Sequence, residues 1–196
     1  MKTLVFATNN DNKVREIRAV LGSQFEILPL KEAGIFIDIP EPHETIPENA
    51  REKSSTIHRL TKQNCFAEDT GLEVESLHGE PGVRSARYAG DDADFKKNID
   101  KLLLNLQGEI NRKARFRTII SLIVDGVEHQ FEGICAGKIT EQTSGSAGFG
   151  YDPVFIPDGS NKTFAEMNMD EKNVFSHRRK AVDKLVAFLN FYNGKT

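Results

Sequence analysis

Three groups of polar residues stand where predicted strands and helices end, and their residue types could do chemistry on a phosphorylated ligand. The first group spans residues 8–13, the second spans residues 67–71, and the third joins residues 149–152 to residues 176–178. Together they offer lysines for phosphate, carboxylates for a metal ion, and an aromatic ring with hydrogen-bond donors for a nucleobase. The combination predicts a site for a nucleoside triphosphate.

The composition is typical of a globular protein and excludes several classes. The 196 residues suffice for one domain over 1–196, which we expect to have two lobes around a central cleft. A net charge of −3 argues against a general polynucleotide-binding surface. The N-terminal apolar run is too short for a signal peptide and no stretch could span a bilayer, so we expect a cytoplasmic protein. Cys65 and Cys135 are expected to be buried free thiols.

Short apolar strands alternate with amphipathic helices along the chain. Strands are predicted over residues 4–7, 25–28, 65–67, 72–74, 116–124, 127–139 and 154–156, with Asp125–Gly126 as a type I′ hairpin turn. Helices are predicted after Asn10 or Asp11 with Gly22 as C-cap, from Thr45 to about residue 63, after Asp94, and after Ser176. The long antiparallel hairpin predicts an α/β fold with a mixed, twisted sheet and flanking helices.

Apolar stripes define the faces on which these helices should pack. The second helix opens with a capping box of Thr45 and Glu48, and its stripe includes Leu60 or Thr61. Lys53 lies on that same stripe, either because it meets an anion or because it extends from the stripe's edge to water. For the third helix the predicted buried stripe is Phe95, Ile99, Leu102, Leu103 and Leu106.

The first polar group has the form of an anion site. A strand, a polar turn and a helix start place free backbone N–H groups and the positive end of the helix dipole at the turn. Phosphate oxygens could be bound there by the run Thr8, Asn9, Asn10, Asp11, Asn12 and Lys13. The run lacks the glycines and the Gly-Lys-Ser/Thr ending of a P-loop. The alternative is an asparagine-rich turn that only caps the helix.

The second group supplies acids at the end of a predicted strand. Because adjacent strand residues point to opposite faces, only one of Glu68 and Asp69 is expected to face a cleft unless the turn bends both inward. An Asp there could bind Mg²⁺, activate water, or do both. Glu41 and Glu44 are the candidate partners, and the alternative is that all these acids are solvated turn residues. Asp91, Asp92 and Asp94 fit helix capping better than metal binding.

The third group has features that suit a nucleobase. Phe149 lies between two glycines, where a flat ring could approach it, although a buried core position is the alternative. The run Ser176-His177-Arg178-Arg179 places cations in the first turn of a helix, where the dipole disfavours them. A ligand with acceptor atoms would explain that placement better than a solvated surface.

Six motifs in order along nearly the whole chain resemble the inosine triphosphate pyrophosphatase family, which hydrolyses non-standard purine nucleoside triphosphates (XTP/dITP diphosphatases). These anchors are residues 8–13, Glu48-Asn49-Ala50 with Lys53, residues 67–72, residues 81–88, residues 148–153, and Glu171-Lys172 leading to residues 176–178. The resemblance implies a single pyrophosphatase domain of two lobes, a Mg²⁺-dependent pyrophosphohydrolase and a homodimer.

The resemblance also implies a role for each matching residue. Triphosphate binding falls to Thr8, Asn9, Asn10, Asp11, Asn12, Lys13, Lys53 and Lys172, and nucleoside contacts fall to Thr70, Phe149, Gly150, Tyr151, Asp152, His177 and Arg178. Glu41 and Asp69 would hold the metal, with Asp69 also the base. Glu68 stands where the family more often has a second Asp, and residues 41–46 depart from the usual pattern, which leaves Glu41 and Glu44 both open as the metal ligand.

The favoured function is hydrolysis of ITP, dITP and XTP to the monophosphate and pyrophosphate, which would remove deaminated purines from the precursor pool. The substrate is a small nucleotide, with neither a nucleic acid nor a membrane as partner. One competitor is a pyrophosphatase for modified pyrimidines or guanylates. Another is a nucleotide sensor without turnover, which would have no need of acids beside three lysines.

Overall fold

The computed structural model describes residues 2–21 and 25–193. Its strands are β1 (Lys2–Phe6), β2 (Phe25–Pro29), β3 (Cys65–Val74), β4 (Pro81–Gly82), β5 (Lys113–Val124), β6 (Val127–Ile139) and β7 (Phe155–Pro157). Its helices are α1 (Asp11–Leu21), α2 (Ile46–Thr61), α3 (Phe95–Asn105), α4 (Met169–Phe175) and α5 (His177–Asn193).

The strands form a mixed sheet, as the sequence predicts. They are hydrogen-bonded in the order β2-β1-β3-β5-β6-β7, with β4 beside β3. Strand β1 is parallel to both β2 and β3, whereas the pairs β3–β4 and β6–β7 are antiparallel. In the part of the chain that the structure describes, no helix is both long and apolar enough to cross a membrane.

The chain divides into two compact units, each with its own core. Of the described residues, unit 1 comprises 2–21, 25–69, 118–133 and 178–193, and unit 2 comprises 70–117 and 134–177. Strands β3, β5 and β6 and helix α5 contribute residues to both units.

Unit 1 has a core on each face of its part of the sheet, because successive strand residues point to opposite faces. On one face, Leu4 and Phe6 of β1 belong to the same core cluster as buried residues of α1 and α5. On the other face, Val5 and Ala7 pack with Ile57 of α2. Strand β3 alternates in the same way over Cys65, Phe66 and Ala67, and the stacked rings of Phe6 and Phe66 join β1 to β3.

Unit 2 is organised around one aromatic-rich cluster. Buried side chains of α3 and of the adjoining strand segments surround Phe116, Phe155 and Phe164, whose rings contact one another. The free thiol of Cys135 belongs to this cluster, and the free thiol of Cys65 belongs to unit 1, so both predicted buried thiols are confirmed. Burial raises the pKa of the Cys65 thiol to about 12.

Several predicted turns and caps are confirmed. Asp125 and Gly126 have φ angles of 50° and 79°, as a type I′ turn between β5 and β6 requires. Thr45 caps α2, and Asp94 caps α3 by accepting a hydrogen bond from the N–H of Lys97. The predicted C-cap Gly22 lies outside the described residues.

Other sequence expectations are wrong. Strand β3 continues through residues 65–74, where two strands around an acidic turn were expected. Helix α4 was not predicted, because its 7 residues are too few to show a periodic apolar pattern. Leu60 and Phe95 were placed on buried stripes but are 59% and 41% exposed, since each lies near a helix end.

The α2 cap generates a stability prediction. Thr45 Oγ1 accepts a hydrogen bond from the N–H of Glu48 at 3.4 Å and donates one to Glu48 Oε2 at 2.6 Å. We expect Thr45→Ala to lower the free energy of unfolding by about 1 kcal/mol, since it leaves an N–H of the first turn without its acceptor. Thr45→Ser should retain most of that stability in urea titrations. Equal stability of the Ala and Ser variants would contradict the assignment of the cap.

Candidate active site

Parallel pairing of β1 and β3 brings the first two polar groups to one edge of the sheet. Val5 is in register with Cys65 and Phe6 with Phe66, and the N–H of Ala7 donates to the carbonyl of Phe66 at 2.8 Å. The carboxyl ends of parallel strands meet at one edge, where α/β proteins bind ligands. The run that begins at Thr8 therefore lies beside the middle of β3, next to Glu68 and Asp69, in unit 1.

The polar turn after β1 forms the N-terminal cap of helix α1. Asn10 Oδ1 accepts hydrogen bonds from the N–H groups of Asn12 and Lys13 at 3.0 and 3.2 Å, so Asn10 is the cap that the sequence left open between two candidates. Thr8 Oγ1 accepts from the N–H of Asn10. Asn10 therefore caps α1, Asn9 and Asp11 are exposed, and the phosphate contacts of this run stay a prediction.

Lys13 projects from this turn toward β3. Its Nζ lies 3.5 Å from both the main-chain oxygen and Oε1 of Glu68. Burial lowers the pKa of Lys13 below its usual value, although the Glu68 carboxylate opposes that effect. A lysine in this position carries a charge that burial disfavours, and a bound anion would stabilise it.

Lys53 lies on the apolar stripe of α2 because it meets anionic side chains there, the first of the two alternatives in the sequence analysis. Its side chain is buried, and Nζ donates to Asp69 Oδ1 at 2.8 Å and to Glu41 Oε1 at 2.6 Å. Burial alone would lower the pKa of Lys53, but the carboxylates of Asp69 and Glu41 outweigh it and raise the pKa. The Lys53 ammonium thus joins Glu41 to Asp69, and the choice between Glu41 and Glu44 as a metal ligand stays a prediction.

The two carboxylate oxygens of Asp69 differ in their contacts. Within the described residues, its Oδ2 is buried and has no hydrogen-bond partner. Burial raises the pKa of Asp69, against the opposing charges of Lys53 and Lys13. A buried carboxylate oxygen without a partner is costly, and a cation or a water molecule would satisfy it.

The donor set around Asp69 fits a hard divalent cation. Glu41 and Asp69 already share one cationic group, the Lys53 ammonium. No cluster of three or more His, Cys, Asp or Glu side chains suited to a metal occurs among residues 2–21 and 25–193. Mg²⁺ does not need such a cluster, because it takes one or two protein carboxylates and completes its shell with water and phosphate oxygens.

Glu68 points to the other face of β3 and forms a buried ion-pair network. Arg178 donates from Nε to Glu68 Oε2 at 2.6 Å and from Nη2 to Oε1 at 2.7 Å, a bidentate pair. Its Nη1 donates to Glu16 of α1. Despite burial, which opposes the charge, the two carboxylates raise the pKa of Arg178. The alternation predicted for Glu68 and Asp69 is confirmed by their different partners.

This network corrects the interpretation of the α5 start. The sequence suggested that a ligand explains the cations in its first turn, but Glu68 and Glu16 bind Arg178, and Asp183 binds Arg179 at 2.8 Å. Glu16 was missed because a single acid in an amphipathic helix gives no sequence signal of burial. Contact of Arg178 with a nucleoside stays a prediction.

Unit 2 holds residues 149–152, 176 and 177 of the third group, and a second buried lysine lies beside residues 149–152. Lys172 Nζ donates to Asp152 Oδ2 at 2.7 Å and lies 5.4 Å from the ring centroid of Phe149 and 5.3 Å from that of Phe164. Asp152 Oδ2 also accepts from the N–H of Phe149 at 2.9 Å. The structure thus surrounds Lys172 with Asp152 and aromatic rings, and its predicted triphosphate contact stays a prediction.

His177 and Tyr151 are fixed in the same unit by different contacts. The His177 ring is buried and stacks on Phe116 with centroids 4.7 Å apart. The Tyr151 hydroxyl donates to the carbonyl of Ser85 at 2.9 Å, which ties residues 149–152 to the motif at 81–88. In the sequence analysis that motif is one of the six that carry the resemblance, but it has no predicted function. Gly150 has a φ of 61°, which favours glycine, and Thr70 is half-buried directly after Asp69.

Comparisons with known proteins find similarity over nearly the whole chain. A family model described as the Ham1 family matches residues 4–188. The chain is 47% identical over 186 residues to the dITP/XTP pyrophosphatase of Flavobacterium johnsoniae, covering 95% of this chain and 97% of that protein. It is 50% identical over 190 residues to the dITP/XTP pyrophosphatase of Porphyromonas gingivalis, covering 96% and 98%. The solved Staphylococcus aureus Ham1 protein matches with a TM-score of 0.89 and 36% identity over 97% of this chain and 100% of that one.

The Arg178 network generates a prediction about stability. Arg178→Met removes the guanidinium that the buried carboxylates Glu68 and Glu16 share, so we expect the free energy of unfolding at pH 8 to fall by about 3–5 kcal/mol. At pH 5 the loss should be smaller, because burial raises the pKa of unpaired carboxyls and they become protonated as the pH falls.

Arg179→Met is the matched control, because it removes the neighbouring arginine from an exposed pair with Asp183 and should change stability little. Urea titrations at both pH values measure the free energy of unfolding of both variants. Equal losses for the two variants would contradict the role of the buried network.

Proposed function

This chain belongs to the Ham1 family, and we propose that it hydrolyses XTP, ITP and dITP to the nucleoside monophosphate and pyrophosphate. Both the chemistry of unit 1 and the names of the chain's relatives support this proposal. The observation that carries it is Asp69, a buried carboxylate held by Lys53 whose second oxygen has no partner among the described residues. Such a group is placed to bind a cation, to accept a proton, or to do both.

We assign the phosphates to the cations of unit 1. Lys13 and Lys53 carry positive charge beside Glu68 and Asp69 of β3, and the N–H groups at the start of α1 add donors. Lys53 would exchange part of its contact with Glu41 for phosphate oxygens. The lysines would orient the triphosphate and stabilise negative charge that grows on the leaving pyrophosphate.

The reaction is attack of water on the α-phosphorus. The water oxygen forms a bond to that phosphorus, the bond from the α-phosphorus to the oxygen bridging to the β-phosphorus breaks, and pyrophosphate leaves. Asp69 orients the water and accepts its proton. Burial raises the pKa of Asp69, which makes the carboxylate a better base than an exposed aspartate at the same pH.

We propose Mg²⁺ as the cofactor, held by Asp69 and Glu41. Both carboxylates fit it, since they already share one cationic group and Asp69 Oδ2 has no hydrogen-bond partner among the described residues. When bound, the ion would neutralise charge on phosphate oxygens. Lys53 would remain beside both acids and hold the Glu41 and Asp69 carboxylates close to each other.

We assign base recognition to the third group. The Phe149 ring would stack on the base, with residues 150–152, Thr70 and His177 lining the nucleoside, as the resemblance implies. Inosine and xanthine carry a 6-oxo acceptor where adenine has a 6-amino donor. Adenine would set donor against donor, at about 1–3 kcal/mol per unpaired buried group, and several such groups would give strong discrimination.

The same family resemblance supports two further proposals. We propose that the protein is a homodimer and that it acts in the cytoplasm. Two buried free cysteines without a disulfide suit a reducing compartment.

The activity prediction is a substrate panel. With Mg²⁺ we expect pyrophosphate release from ITP, dITP and XTP to exceed that from ATP, GTP and UTP by a factor of about 10² or more in kcat/KM. In EDTA we expect no measurable turnover, with recovery on adding Mg²⁺. Comparable rates with UTP would favour the pyrimidine competitor, and tight ITP binding without turnover would favour a sensor.

The second activity prediction concerns Asp69. Asp69→Asn should bind ITP but lose about 10²–10⁴-fold in kcat, because an amide cannot accept the proton and is a poor Mg²⁺ ligand. Glu73→Gln is the matched control, since Glu73 is an acid of the same strand paired with Arg115 at 2.5 Å. Turnover by Asp69→Asn within a few-fold of the parent would remove Asp69 from the mechanism.

A further inference from the structure

Phe95 is an aromatic side chain whose position the core does not explain. It is the first residue of α3 and follows the cap Asp94, whose Oδ1 accepts from the N–H of Lys97 at 3.1 Å. Its ring is 41% exposed, although the apolar stripe of α3 placed it in the core. Ile99 and Leu102 of the same helix are buried as expected. The helix cap thus fixes the backbone of Phe95 while much of its ring stays open to solvent.

The ring of Phe95 contacts the ring to which we assign the base. The centroids of Phe95 and Phe149 are 6.2 Å apart and the planes are inclined by 48°. That separation lies within the range of favourable tilted aromatic pairs. Phe149 is half-buried and is further fixed by Lys172 near its ring and Asp152 at its N–H. The two rings form a partly exposed aromatic surface within unit 2.

We propose that Phe95 is a specificity-determining residue whose tilted ring contacts a two-ring base stacked on Phe149 and strengthens binding of such bases. The proposal rests on the assignment of the base to Phe149. A purine is larger than one phenyl ring, so a second ring beside Phe149 adds apolar contact for a purine that a pyrimidine is too small to use. Stacking tolerates any base edge, so Phe95 acts on base size and leaves the choice of 6-oxo over 6-amino to hydrogen bonds.

A single exposed phenylalanine on a surface is common and by itself needs no function. Two features set Phe95 apart from the other exposed apolar residues of α3. It touches an aromatic ring outside its own helix, and that ring belongs to the group 149–152. Leu104 of the same helix is 67% exposed and serves as the matched control.

The test compares Phe95→Ala with Leu104→Ala in the full chain. The measured quantities are the inhibition constants of IMP, UMP and ribose 5-phosphate against ITP hydrolysis, together with kcat and KM for ITP. We expect Phe95→Ala to raise the inhibition constant of IMP and the KM for ITP by about three- to tenfold. We expect kcat to stay within about twofold, and the constants of UMP and ribose 5-phosphate to change less than that of IMP. Leu104→Ala should resemble the parent.

Two further variants separate stacking from folding. Phe95→Tyr keeps an aromatic ring and should bind IMP like the parent, whereas Phe95→Leu keeps the apolar bulk and should weaken IMP binding if the flat ring matters. Phe95→Leu therefore carries the test if Phe95→Ala does not fold. Unchanged IMP inhibition in the variants, or an equal loss for ribose 5-phosphate, would overturn the role of Phe95. Absence of ITP turnover by the parent would instead overturn the proposed activity.

Discussion

Two acidic residues in the middle of β3 are buried, and unit 1 is arranged around their need for partners. Glu68 and Asp69 are adjacent in a strand, so their side chains leave on opposite faces. Each is buried, and each would be strongly destabilising if it lacked a cation. The fold supplies Arg178 from α5 on one face and Lys53 from α2 on the other. The helices on both faces of the sheet are thereby tied to the same two residues of β3.

The two ion pairs differ in how many of their carboxylate oxygens have a partner. The fully bonded pair supports the fold, and the partly bonded pair is the candidate for chemistry. Arg178 binds both oxygens of Glu68 and a further carboxylate from Glu16, an arrangement that holds one geometry. Lys53 binds only one oxygen of Asp69 and reaches out to Glu41, whose side chain is about one-third exposed. An ammonium on a flexible stem can be displaced more easily than a bidentate guanidinium. The Lys53 side of β3 is therefore the side to which we assign the substrate.

Much of this could be predicted from sequence because local patterns encode it. The Thr45 and Asp94 caps and the Asp125–Gly126 turn depend on a few neighbouring residues, and all were predicted correctly. The position of Lys53 on an inward stripe could be predicted, but its partners could not, because they come from the distant loop at Glu41 and from β3.

Long-range pairing also explains the errors. The acidic turn expected at residues 68–71 is a strand, since buried partners replace the solvent that those acids would otherwise require. Sequence composition cannot show that Arg178 reaches Glu68 across 110 positions. For the same reason, a cationic helix start suggested a ligand where the protein supplies its own carboxylates. Phe95 fitted the helical period, but the period cannot tell whether the first turn of a helix lies over the core.

The charge of the Asp69 neighbourhood gives the last argument for a divalent cation. In the described ion pairs of this edge, four carboxylates (Glu16, Glu41, Glu68 and Asp69) face three cations (Lys13, Lys53 and Arg178). With all groups ionised, the cluster carries one excess negative charge and would repel a triphosphate. A bound divalent ion reverses the sign to one positive charge without moving any side chain out of the protein. Under the proposed function, a triphosphate would be attracted to this cluster only with the ion bound, and the acids that repel the triphosphate would then hold the ion.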